Sequence, residues 1–133
     1  MVAKAEEIKI MEELIAAAKS IISLRYQKGK HAVGAALRTK SGKIYTGISV
    51  NSQKVDLCSE WSAIGSAFGE GETEFDMVVA VKRKEDGSFT IFPPCALCRE
   101  LYITYCPDIK VVLSENEVRT ASELLPFAWK KVV

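Results

Sequence analysis

Apolar positions in the first segment recur at helical spacing. From Ala5 to Gln27 they are Ile8, Met11, Leu14, Ile15, Ala18, Ile21 and Ile22, and the opposite face is Glu and Lys. That spacing predicts an amphipathic helix ending near Gly29. The period then changes. Ala32 to Arg38 and Ile44 to Val50 are β-prone runs around Thr39-Lys40-Ser41-Gly42, which predicts a hairpin. The small residues Gly34, Ala35 and Ala36 predict close packing by a neighbouring element, or a ligand approaching the backbone. Asn51 to Leu57 reads as a polar loop, and Cys58 to Phe68 as a helix stopped by Gly69 and Gly71. Met77 to Val81 is an uninterrupted apolar run, as in a strand buried on both faces. A turn at Glu85-Asp86-Gly87-Ser88 leads to a short extended piece, Phe89 to Phe92. Pro93-Pro94 precedes a helix from Cys95 to about Tyr105. Ile109 to Leu113 reads as another strand, and Ala121 to Trp129 as a short helix broken at Pro126. After the hairpin, strands alternate with helices. The prediction is an α/β fold, a mixed sheet with helices on its faces.

The chain's 133 residues fit one domain, spanning 1–133, and can bury a sizeable core without disulfide staples. Eighteen basic residues against 17 acidic give a net charge of +1. That balance gives no polyelectrolyte attraction for nucleic acid. The first twenty residues carry early acidic groups and no secretory apolar core, and no stretch is apolar enough to span a bilayer. The expected compartment is the cytoplasm, where thiols stay reduced. No nucleic-acid or membrane partner is expected.

Four cysteines and a single histidine narrow the chemistry further. A histidine-rich metal site is excluded within one chain, so sulfur or carboxylate must supply any ligand set. Cys58-Ser59-Glu60 and Pro94-Cys95-Ala96-Leu97-Cys98 each fall at a predicted helix start. Cys95 and Cys98 are three apart, so one helical turn brings both sulfurs to one face, where they can share a tetrahedral ion. Cys58 can supply a third sulfur from the other helix. Three thiolates and Zn²⁺ leave one excess negative charge, which two helix N-termini would offset. No fourth protein ligand is evident, and an open position marks a catalytic zinc. Glu60, two residues after a ligand, is placed to take a proton from the attacking water and deliver it to a substrate ring nitrogen. Cys106 lies outside both motifs and reads as core filler. A thioredoxin-like redox pair at Cys95 and Cys98 would leave Cys58 and Glu60 without a task.

These residues resemble the cytidine deaminase superfamily. Val33-Gly34-Ala35-Ala36-Leu37, Ser41-Gly42-Lys43-Ile44-Tyr45 and Gly47 resemble its first hairpin. Cys58-Ser59-Glu60 resembles its Cys-Ala-Glu, and Pro94-Cys95 to Cys98-Arg99 its Pro-Cys-Gly-x-Cys-Arg. The resemblance implies a three-layer α/β/α fold with a mixed five-stranded sheet. It implies Cys58, Cys95 and Cys98 as zinc ligands and Glu60 as proton shuttle. It also implies a homo-oligomer, a tetramer or dimer, whose sites borrow residues from neighbours. Where typical cytidine deaminases hold the ribose with Asn-x-Glu, this chain has Ser49 and Asn51, without the carboxylate. His31 stands where an aromatic residue usually precedes the first strand. Trp61 replaces the Arg after Cys-Ala-Glu, and Ala96 replaces the Gly between the cysteines. The short loop before Cys58 and the tail through Phe127 and Trp129 resemble the blasticidin S deaminase branch. There an aromatic C-terminus closes over the pocket, and Trp129 or Phe127 could stack on a planar heterocycle. For Arg99 a structural ion pair or subunit contact is expected.

The expected function is zinc-dependent hydrolytic deamination of a small amino-heterocycle, an aminopyrimidine base or nucleoside of the cytidine or blasticidin S type. The candidate substrate contacts are Ser49, Asn51, His31 and Trp129. The alternatives are another amino-heterocycle, such as an aminopurine or free base, and a catalytically silent zinc-stabilised scaffold.

Overall fold

A computed structural model describes residues 4–131 of the chain. The first element is helix α1 (Ala5–Arg25), close to the span its periodicity predicts. The hairpin follows as β1 (Val33–Thr39) and β2 (Ile44–Ile48), paired antiparallel with Gly34 opposite Ile48 and Arg38 opposite Ile44. The expected polar loop contains a miniature hairpin, β3 (Val50–Asn51) against β4 (Asp56–Leu57). Helix α2 (Ser59–Gly69), strand β5 (Phe75–Arg83) and strand β6 (Phe89–Phe92) come next. Helix α3 (Ala96–Tyr105) leads to β7 (Lys110–Ser114), β8 (Glu117–Thr120) and a one-turn helix α4 (Ala121–Leu124). Strand β8 is an addition to the sequence-based reading.

The main sheet runs β2-β1-β5-β7-β8, and β6 also pairs with β5. Strand β1 takes one edge of β5. The other edge is shared: β7 pairs parallel at Met77 and Val78, and β6 antiparallel from Ala80 to Arg83. Six strands thus fill five positions, and the single parallel pair makes the sheet mixed.

Strand alternation separates two cores. Ala36, Met77, Val79, Val81, Val112 and Val118 face α1, through Met11, Leu14 and Ala18. Ala35, Leu37, Val78 and Val111 face the other side, through Ala63 and Ala67 of α2 and Leu101 and Tyr102 of α3. Both faces are buried, which is why β5 reads as a continuous apolar run. Two glycines set how closely the layers approach. A Cβ on Gly34 would lie 2.6 Å from the Ala18 carbonyl oxygen of α1. A Cβ on Gly47 would lie 2.5 Å from the Ala63 nitrogen and 2.6 Å from the Ser59 oxygen of α2. The small residues of the hairpin therefore serve helix packing on both faces.

Candidate active site

The first turn of α2 lies directly on β2 because Gly47 presents no side chain. That contact fixes Cys58, the residue before α2, and Ser59 and Glu60 within it. Cys95 holds the equivalent place before α3, and Cys98 lies one turn inside. The Arg99 Nε donates to the Pro94 carbonyl at 2.8 Å, and Nη1 to the Leu124 carbonyl at 3.0 Å. Arg99 therefore ties the start of α3 to the end of α4 through two carbonyls, in place of the expected ion pair.

These two helix starts converge. Cys58 Sγ is 3.4 Å from Cys95 Sγ, and Cys95 Sγ is 3.5 Å from Cys98 Sγ. All three sulfurs lie within 4.8 Å of one another. Tetrahedral zinc with metal–sulfur bonds near 2.3 Å needs sulfurs about 3.8 Å apart, so the triad fits with small adjustment. Its electrostatics fit as well. Burial pushes the Cys58 thiol up to about 11, helped by the neighbouring Cys95. Burial, then the Glu60 charge, raises Cys98 further. Burial also works to raise Cys95, but the backbone N–H of Cys98, the two thiols and the Leu97 N–H together hold it below an ordinary thiol. Three converging sulfurs, two of them with thiols raised by burial, form a site that a divalent cation completes. Cys106 stays apart in the core, pushed up to about 12 by burial.

Glu60 is 6% exposed, and burial raises its carboxyl against weaker help from its own backbone and the Ser59 hydroxyl. The Ser59 Oγ donates to Glu60 Oε1 at 3.3 Å. Cys58, Cys95 and Glu60 border a cleft of about 270 Å³, at the small end for ligand sites. A roomier groove of about 750 Å³ runs between α1 and the β7–β8 turn. It holds no comparable set of ligating or acid–base groups around a common point.

Ser49 and Asn51 both line the cleft. Ser49 Oγ accepts from the N–H groups of Ala32 (3.2 Å) and Val33 (3.1 Å), which leaves its own proton free to donate. His31 stands behind this wall. Its Nδ1 lies 2.8 Å from the Ser49 carbonyl oxygen, so Nδ1 carries the proton and the ring orients Ser49. Trp129 is not brought to the cleft. The tail beyond Pro126 runs beside α3, where Trp129 lines a groove with Glu100, Ile103 and Thr104 and is 80% exposed. Phe127, with φ of 54°, projects wholly into solvent. Sequence reasoning passed over Asp56, Lys82 and Phe92, which also line the cleft. Lys82 carried a detectable signal, a charge on the inward face of a buried strand.

No described helix is long and apolar enough to cross a membrane. Residues 6–115 match the family described as the cytidine and deoxycytidylate deaminase zinc-binding region. The chain is 37% identical over 128 residues to blasticidin-S deaminase of Bacillus cereus, covering 90% of this chain and 91% of that protein. It is 30% identical over 129 residues to cytidine deaminase of Sporosarcina psychrophila, covering 91% and 92%. The crystal structure of cytidine deaminase from Burkholderia pseudomallei superposes with a TM-score of 0.73 at 29% identity, over 89% of this chain and 98% of that one. The three-layer mixed-sheet fold, the sulfur triad and the extent of these matches place the chain in the cytidine and deoxycytidylate deaminase family, as a zinc-dependent hydrolytic deaminase.

Proposed function

We propose that the chain removes the amino group of an aminopyrimidine base or nucleoside, of the cytidine or blasticidin S type, as ammonia. The observation that carries this reading is the buried Glu60 carboxyl beside the three converging sulfurs, in one cleft with Ser49 and Asn51. Cys58, Cys95 and Cys98 would hold the zinc. When bound, zinc supplies the Lewis acidity that makes water a competent nucleophile near neutral pH. The chain's residues do the rest. Glu60, its carboxyl raised by burial, is suited to take one proton of the attacking water to a ring nitrogen, and then the second proton to the departing amine, which leaves as ammonia. The Ser49 hydroxyl and the Asn51 side chain orient the ring and its substituent. The burial of Glu60 also excludes bulk water from the proton path.

This reading is tested by following ammonia release from cytidine, cytosine, blasticidin S and aminopurines with the zinc-loaded protein. Turnover of a pyrimidine is the expected result. Activity on none of them, with zinc measured at one equivalent, would sink it and favour a silent zinc scaffold. The scaffold reading accounts for the triad but gives no reason for a buried carboxyl opening onto a cleft.

The single-domain organisation, a cytoplasmic setting and homo-oligomerisation to a dimer or tetramer belong to the same proposal. Oligomerisation is supported by exposed apolar side chains, among them Leu57 and Phe92 at the cleft and Val55 and Leu97 elsewhere. Trp129 would reach a substrate only from one subunit to another.

A further inference from the structure

Close to the cysteines the cleft is built from acids and thiols. One basic side chain lines it, Lys82. Its place in β5 is at odds with the strand's pattern. Met77, Val79 and Val81 face α1, while Val78, Ala80 and Lys82 alternate toward the site side. A row that starts on a buried valine therefore ends on an ammonium. Ala80 between them is small and leaves the cleft floor open. The register fixes Lys82 opposite Val33 of β1 and Thr90 of β6. Val33 in turn donates to Ser49 Oγ. The ammonium sits 5.4 Å from the Phe92 ring centroid, so the side chain is steered along an aromatic wall. Among the described residues Lys82 makes no ion pair, although Asp56 lines the same cleft. A half-buried cation held by a ring and without an ion-pair partner gains more from an anion than from a neutral hydroxyl.

We propose that Lys82 determines specificity by receiving an anionic substituent, carboxylate or phosphate, carried by the aminopyrimidine. This rests on the deaminase reading above and narrows its substrate class. Asn51 lines the cleft as a neutral amide; the acids there are Asp56 and Glu60.

The test compares zinc-loaded wild type, Lys82→Met and Lys82→Arg on cytidine, cytidine 5′-monophosphate and blasticidin S, which carries a carboxylate. Methionine keeps the apolar stem, so the fold is retained. Wild type should prefer at least one anionic compound, and which one separates phosphate from carboxylate. Lys82→Met should raise KM for that compound about tenfold and leave kcat, and KM for cytidine, within about twofold. Lys82→Arg should keep the preference. A wild type that favours cytidine over both anionic compounds, or a Met variant that weakens all three alike, overturns the proposal. Calorimetric binding of the same compounds keeps the two ideas separable. Absence of ammonia release defeats the deaminase reading. Salt-sensitive binding of the anionic compound that Lys82→Met abolishes would still uphold Lys82 as its receiver, and binding indifferent to the substitution would reject it.

Discussion

Cys58 Sγ lies 3.4 Å from Cys95 Sγ, although 37 residues separate the two in the chain. A metal that joins them and Cys98 closes that loop only in the folded state, so its affinity adds to folding stability. A strong chelator is therefore expected to lower the melting temperature, and added zinc to restore it. Cys98→Ser should lose both zinc and the chelator response. A melting curve unchanged by chelation would show that the triad holds no metal.

Glu60→Gln keeps the shape and burial of the side chain but cannot carry the proton. Turnover should fall by at least about 10²-fold, the usual contribution of a positioned acid–base group. Zinc content should stay at the wild-type level, because the triad does not use Glu60. Residual activity near wild type in an ammonia assay would reject Glu60 as the shuttle.

Gly47 and Gly65 make an internal contrast. A Cβ at Gly47 would meet backbone atoms of α2 at 2.5 and 2.6 Å, and backbone cannot rotate aside. Gly47→Ala should cost about 1–3 kcal/mol in denaturant unfolding and displace the start of α2, with activity lost alongside. Gly65, exposed within α2, has open space around it. Gly65→Ala should be neutral or stabilise by up to about 1 kcal/mol. Equal effects at the two positions would remove the packing account of the α2 start.

The acid limb of stability should depend on Glu7. Its carboxylate lies 2.6 Å from Lys110 Nζ, and that hydrogen bond, then the Lys4 N–H, holds it below the usual carboxylate range. The folded value is depressed, so the contribution is complete above the unfolded value, near 4.3. It is lost as pH falls through the folded value. Wild type and Glu7→Gln should differ in melting temperature at pH 6 and converge in strong acid. A difference independent of pH would rule the pair out.

What was legible in the sequence was local or strongly periodic. Helix α1 announced itself through Met11, Leu14 and Ala18, and β5 through its apolar run. Cys95 and Cys98 could be paired from their spacing on one helical turn, and Cys58 joined them through the resemblance to the deaminase motif. Strand β8 was missed because only Val118 is apolar in Glu117-Val118-Arg119-Thr120, and one residue shows no period. The β3–β4 hairpin was hidden for a similar reason, since its four paired residues are held by register more than by burial. For His31 the sequence leaves open a satisfied strand-end histidine and a substrate contact, and the structure pairs its Nδ1 with the Ser49 carbonyl. That partner depends on where the strand after the hairpin returns, which no local pattern encodes. Lys82 needed the sheet's facing to be known before its charge became meaningful.

At Gly47 the strand meets the Ser59 oxygen, the Ala63 nitrogen and the Ser62 Cβ of α2 with no side chain of its own. The proton and metal machinery at Cys58 and Glu60 is therefore anchored at a position with no room for any side chain. Asn51, Asp56, Lys82 and Phe92 hang on strands around it and can be replaced one at a time. A chain built this way can change its diet while its chemistry stays the same, which suits an enzyme whose relatives are named for different substrates.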